Sequence, residues 1–284
     1  MKLNSRAGFT LVELLVVLGI VGILVAVLFP AVQSVRESAR KITCANNQRQ
    51  IILALLSYEN ANQRLPSTLS LDSGSFLAHW HSQLLPHLDL ESLYSDIQGD
   101  FDARIHVFYQ RNLSTNVNVF QCPSEPLIGK IIEAKETGFQ FAFTNYCGVN
   151  GTSNKASDGV FPTDLGVVTT TPIRLAMITS GLSNTLAFGE RPPSSYKQGF
   201  GIWLGSQNAL SASIGVNEGI VGGDNFDCDG IRFQHPGSSE QCRVYHHRGH
   251  HRLGVNFARV DGSVHFVDYS IDLNILRALA TRNE

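Results

Sequence analysis

The sequence predicts an α+β protein in which a long N-terminal helix, its first half apolar enough for a membrane, carries a β-rich antiparallel head. Three observations predict it. Positions 14–35 hold 22 consecutive residues without a charge. Apolar residues then recur at three- and four-residue steps as far as Leu56. From Leu65 onward, glycine, asparagine, serine, threonine and short aromatic runs replace the helical pattern and favour strands and turns.

Composition agrees with this division. Charged residues make up 16% of the 284-residue chain, against roughly 25% in soluble domains. The hydrophobic share of 43% is ordinary, so one segment must be unusually free of charge. With 22 Lys+Arg against 24 Asp+Glu the formal net charge is -2. That leaves no positive field to collect nucleic acid, and a polyanion-binding role is disfavoured.

The elements follow in order. Residues 1–8 form a short polar leader carrying Lys2 and Arg6. Residues 9–35 exceed the roughly 20 apolar residues a helix needs to cross a bilayer. A secretory signal fits poorly, because its apolar region would be about 7–15 residues long and end at a small-residue cleavage site. Pro30 inside the span removes a backbone donor and is expected to kink the helix. Residues 36–64 continue it as an amphipathic helix, with Ile42, Ala45, Ile52, Leu55 and Leu56 on the apolar face and Pro66 as its stop. A helix over 9–64 is about 84 Å long at 1.5 Å per residue.

Glu13 needs a reason. A carboxylate just inside an apolar span costs about 2.5–3.5 kcal/mol on insertion scales, so it calls for a partner. The segment Gly8-Phe9-Thr10-Leu11-Val12-Glu13-Leu14-Leu15-Val16-Val17 resembles the signature of type IV prepilins and type II secretion pseudopilins. The resemblance implies that a membrane-embedded prepilin peptidase cuts after Gly8 and methylates the new terminal amine of Phe9. It also implies that Glu13 pairs with the terminal amine of a neighbouring subunit, which supplies the missing partner. Lys2 and Arg6 on one side and Arg36, Arg40 and Lys41 on the other do not settle orientation. The resemblance does, with the leader cytoplasmic and everything beyond about Arg36 periplasmic or extracellular.

Residues 65–284 form the head. Gly138 to Thr144 alternates aromatic with small or polar side chains, predicting a strand with one buried face. At 251–267, Asp261-Gly262 between two apolar runs predicts a hairpin with a two-residue type I′ turn. That turn pairs Arg259 with Val264 and Phe257 with Phe266. Val255, Phe257, Val264 and Phe266 then share one face, and Asn256, Ala258, Ser263 and His265 the other.

The head has a resemblance of its own. Cys44-Ala45-Asn46-Asn47-Gln48, Phe120-Gln121-Cys122-Pro123-Ser124, Thr144-Asn145-Tyr146, the run from Ser183 to Glu190 and the run from His251 to Gly262 are similar to a bacterial pilin-like family with a domain of unknown function. Its closing signature is a histidine, nine residues and Asp-Gly, met here by His251, Asp261 and Gly262. Arg252-Leu253-Gly254-Val255-Asn256 replaces the family's usual Pro-Gly-Gly-Val-Asn. The resemblance implies an assembly class and no substrate.

The remaining site candidates have plainer accounts. His246, His247, His250 and His251 would stack in i, i+4 pairs on a helix. Gly249 and the strand that follows argue for a structural role instead. Asn225, Asp227 and Asp229 alternate as in a calcium loop, but Pro236 stands where the bidentate glutamate belongs, so an Asp/Gly turn is preferred. The five cysteines, at 44, 122, 147, 228 and 242, contain no C-x-x-C. Cys44–Cys122 and Cys228–Cys242 are plausible disulfides outside the cytoplasm, with the odd cysteine free or paired between chains.

No serine elbow, phosphate loop or dinucleotide fingerprint occurs. The expectation is therefore a non-enzymatic single-pass protein of the inner membrane without cofactor, with prepilin peptidase and other pilin-like subunits as partners. The alternative is a membrane-tethered binding or adhesion head that uses the signal for processing and anchoring alone.

Overall fold

The computed structural model describes residues 10–72, 76–103, 112–133, 140–152, 157–162, 173–193, 213–215 and 247–283. Helix α1 runs unbroken over Leu11–Asn62 and passes through Pro30. Thr10 caps it: its hydroxyl accepts from the Glu13 N–H, and the Glu13 carboxylate accepts from the Thr10 N–H at 2.9 Å. This reciprocal arrangement satisfies two otherwise orphan donors. The helix stops short of Pro66, because Gln63 turns left-handed (φ 57°) and its N–H closes on the Glu59 carbonyl.

The two halves of α1 differ in what covers them. From Leu11 to Val35 the helix stands clear of the head, with Leu11, Val27 and Phe29 among its exposed apolar side chains. An apolar surface of this extent is not stable against water and marks a membrane or protein environment. In the second half, Cys44, Gln48, Ile51, Ile52, Ala54 and Leu55 are buried. Each large apolar side chain in that stripe contributes about 1.5–3 kcal/mol by leaving water. The stripe is rotated from the face expected from sequence: Ile42 is 62% exposed, and Cys44 and Gln48 face the head instead.

After α1 the chain forms a small hairpin, β1 (Leu69–Asp72) with β2 (Phe76–His79), then the short helix α2 (Trp80–Gln83) and α3 (Glu91–Asp102). A second pair, β3 (Ile132–Glu133) with β4 (Gln140–Phe141), follows. The main sheet is built from β5 (Tyr146–Gly151), β6 (Leu186–Glu190), β7 (Ser213–Gly215), β8 (Gly254–Arg259) and β9 (Val264–Asp268). Its strand order is β7-β5-β6-β8-β9, antiparallel throughout except for the parallel β5–β7 edge. Helix α4 (Leu273–Ala280), capped by the Asp272 carboxylate, closes the described chain.

The sheet lies between α1 and α4. On the α1 side, Ile51, Ile52 and Leu55 join Trp80, Phe120, Phe143, Tyr146, Phe188 and Ala258 in the larger core. On the other side, Val149, Leu186, Val255, Phe257 and Val267 pack under Leu276 and Ala280. The β6–β8 register shifts between Leu186 and Phe188, which sends these two residues to opposite cores.

The head departs from the sequence pattern at two places. The run around Phe141 is not a one-faced strand: β4 is two residues long, and Phe141, Ala142, Phe143 and Thr144 are all buried. The segment belongs to the larger core together with Phe120, and there the Ala142 N–H bonds to the Leu113 carbonyl and Thr144 Oγ1 donates to that of Phe120. Apolar packing on both sides overrides the alternation.

The β8–β9 hairpin also differs by one residue. Its pairs are Ala258↔Val264, Phe257↔His265, Asn256↔Phe266 and Val255↔Val267. The Gly262 N–H bonds to Arg259 O and the Arg259 N–H to Ser263 O, so the loop has three residues. Only Gly262 (φ 92°) takes the left-handed position, as in a type I turn followed by a bulge. Asp261 keeps a negative φ, and its carboxylate accepts from the N–H and hydroxyl of Ser263. The slip sends Val267, rather than Phe266, to the α4 core. Phe266 turns toward α1, where the Lys41 ammonium stands 3.1 Å from its ring centroid.

Candidate functional site

Two places carry unusual chemistry: the N-terminal span and a buried polar nest where α1 meets the head. In the span, Gly8 and Phe9 lie outside the described residues, and Glu13 sits in the first turn of α1 at its cap with Thr10. Asp261 and Gly262 form the hairpin loop. Asn225, Asp227 and Asp229 lie outside the described residues, as do His246, Cys228 and Cys242.

The nest is assembled from segments far apart in sequence. Cys44 of α1 is joined to Cys122 by a disulfide with a Cα–Cα distance of 4.9 Å. Beside it lies His251, three residues before β8 and outside the β8–β9 ladder. Its Nδ1 is 2.9 Å from Glu37 Oε1 on α1, and its Nε2 is 3.4 Å from Glu190 Oε1 at the end of β6. Ionised carboxylates only accept, so a ring with one on each nitrogen is best satisfied as imidazolium, which donates from both. Burial works against that charge, but the hydrogen bond and charge of Glu190, then those of Glu37, outweigh it and raise the His251 pKa.

The surroundings hold the triad in place. Ser124 Oγ donates to Glu37 Oε1 at 3.0 Å, and Arg40 Nε donates to Glu37 Oε2 at 2.8 Å. Burial raises the Glu37 pKa, but the bonds from His251, Arg40 and Ser124 prevail and lower it. Glu190, nearly fully buried, accepts from Asn256 Nδ2 at 2.8 Å and from the Asn256 N–H at 3.3 Å. Gln48 of α1 donates to the Asn256 carbonyl. Gly189, next to Glu190, must lack a side chain, since a Cβ there would lie 2.3 Å from the Phe257 ring.

A third carboxylate, Glu125, accepts from Asn145 Nδ2 at 3.0 Å and faces His250 Nε2 at 2.9 Å. Asn145 in turn accepts the Cys122 N–H. His247 to His251 is an irregular segment, so its histidines do not stack as helical pairs. Cys147 is a buried free thiol whose pKa is pushed to about 11 by burial.

The sequence segments singled out above therefore converge: Cys44, Cys122-Pro123-Ser124, Asn145, Gly189-Glu190, His251 and Asn256 meet in one place. Sequence reasoning missed Glu37 and Glu190 as partners of His251. The available signal was an acid, Glu37, at the point where the uncharged span ends and the buried stripe begins.

The nest ties the head to α1 in a pH-dependent way. The raised pKa of His251 contributes stability fully present below its unfolded value of about 6.5 and lost as pH rises through the folded value. The lowered pKa of Glu37 contributes stability present above about 4.3 and lost as pH falls through its folded value. The head's unfolding midpoint is expected to fall from about pH 6.5 upward in the wild type. In His251→Gln that alkaline decline should be absent, and a matching decline in both proteins would assign it to another group.

Comparison with known proteins adds two matches. Residues 33–274 match the model of a family described as a protein of unknown function (DUF1559). Residues 3–29 match the prokaryotic N-terminal methylation motif. No curated protein and no solved structure matches the chain.

Proposed function

The chain belongs to the family of proteins of unknown function (DUF1559), and from that premise we propose that it is a non-enzymatic subunit of a pilus or a type II secretion-like filament. It is a pilin-like protein whose N-terminal methylation motif marks it for prepilin peptidase, and its apolar helix anchors it in the membrane as a single pass. The observation that carries the proposal is the bare half of α1: an apolar span clear of the head, with one acid, Glu13, in its first turn.

In the unprocessed chain Glu13 closes on Thr10. After removal of residues 1–8, Glu13 is the fifth residue, and the amine of a neighbour's Phe9 is the charge best suited to neutralise it in an apolar environment. Residues 9–35 then leave the bilayer to pack against equivalent helices, with the head periplasmic or extracellular. Glu13→Ala is expected to leave the protein cleaved and membrane-bound while in-cell crosslinked multimers drop about tenfold or more, since a buried pair loses one partner. Multimers at the wild-type level would sink the proposal.

A second reading, a tethered binding head, has one observation in its favour. An open groove of about 850 Å³ runs between α1 and the head, lined among others by Asn47, Asp89, Asp96, Asn116 and Leu93. This reading predicts no multimers from the wild type under the same crosslinking.

A further inference from the structure

We propose that Cys44, Cys122, His251 and Glu190 form a redox-gated metal site, in which reduction of the disulfide lets the four side chains close around one zinc-like divalent ion. One ligand atom from each of the four residues lies within 4.8 Å of all the others, and all four residues are buried. A tetrahedral ion with bonds of about 2.3 Å to sulfur and 2.0–2.1 Å to nitrogen or oxygen separates sulfur from nitrogen by about 3.6 Å and nitrogen from oxygen by about 3.3 Å. Here Cys122 Sγ is 3.8 Å from His251 Nε2, and that nitrogen is 3.4 Å from Glu190 Oε1. Two of the six edges of the tetrahedron are thus near their final lengths, the other ligand atoms lie within 4.8 Å of one another, and closure around an ion requires the two sulfurs to separate to about 3.8 Å.

The outer contacts fit the same reading. Glu37 accepts from His251 Nδ1, the carboxylate–histidine arrangement that orients an imidazole toward a metal. Asn256 holds the Glu190 carboxylate from behind. Two thiolates, an imidazole and a carboxylate are a donor set suited to zinc. While the sulfurs are bonded to each other they are poor donors, so the disulfide and the ion exclude one another.

The chemistry balances with a dithiol as reductant. It supplies two electrons and two protons to the Cys44–Cys122 bond, which becomes two thiols, and leaves as its own disulfide. Metal binding then displaces both thiol protons and the Nε2 proton of His251 to water, and the ion changes no oxidation state.

The test uses the full chain in detergent, reduced with dithiothreitol, desalted without oxygen and titrated with Co²⁺ as the probe. One equivalent should bind with a thiolate-to-cobalt charge-transfer band, displaced by Zn²⁺ and absent from the oxidised chain. His246, His247 and His250 cannot produce that band. The Cys44→Ser, Cys122→Ser double variant, which keeps Cys147, Cys228 and Cys242, should lose it, and Glu37→Gln should weaken binding about 10–100-fold. Reduced wild type also lacks the disulfide, so equal far-UV circular dichroism between it and the double serine variant excludes a folding artefact. A band that survives in the double serine variant, cobalt affinity unchanged in the His251→Gln, Glu190→Gln double variant, or no cobalt uptake by the reduced chain would overturn the proposal.

Discussion

Replacing Gly8 by valine is expected to leave the full chain in the membrane, with no shortened species and no methyl group on Phe9. Gly8 lies between a polar leader and an uncharged span, within the matched methylation motif. The peptidase must draw the 8–9 bond into its own site at the bilayer surface, and a residue without a Cβ allows the closest backbone approach. A β-branched side chain both fills that approach and restricts the backbone. The effect should be near complete, because an uncut leader also blocks the amine of Phe9 and so removes the partner proposed for Glu13. Intact-mass and N-terminal peptide mass spectrometry of the variant, beside wild type from a strain lacking prepilin peptidase, provides the measurement. Both should show the uncut chain. A valine variant that begins at methylated Phe9 would move the cleavage determinant elsewhere, and an uncut wild type in a peptidase-positive strain would remove the basis for Glu13's role.

What was legible in the sequence was whatever is written locally. The uncharged run, the change of composition at Leu65 and the Asp-Gly loop each depend on neighbours within a few residues, and each appears in the structure. The hairpin register was not legible, because Asp261-Gly262 serves a two-residue turn and a three-residue turn with a bulge equally well. The choice was made by packing: Val267 fills the space under Leu276 and Ala280, while Phe266 turns toward Lys41. The face of α1 was misread for a related reason. Cys44 and Gln48 face inward because Cys122 and the Asn256 carbonyl wait for them, and no periodicity in α1 alone announces partners 78 and 208 residues away. Glu37 and His251, 214 residues apart, escaped in the same way. Long-range polar pairs are where pattern reasoning ends, since their spacing in sequence carries no physical constraint.

Glu190→Ala is the substitution in the head expected to cost most. The carboxylate is 1% exposed and joins three segments at once, taking two hydrogen bonds from Asn256 and facing the His251 ring. Alanine would leave a buried imidazolium with Glu37 as its one carboxylate partner in the triad and would strip the Asn256 amide of its acceptor. Breaking a buried ion pair by deleting one member costs about 3–5 kcal/mol, a large share of the roughly 5–15 kcal/mol that holds a domain folded. Glu190→Gln keeps one oxygen for Asn256 but loses the charge and turns the second acceptor into a donor, so it should fall between alanine and wild type. Denaturation of a full-chain Trp203→Phe background in detergent, followed by the fluorescence of Trp80 in the larger core, reads the order directly. The Cys44–Cys122 bond persists in all three proteins and constrains their unfolded states alike. A loss below about 1 kcal/mol in the alanine variant would mean that water replaces the carboxylate, and the nest would then be a solvated seam instead of the joint that fixes the head on α1.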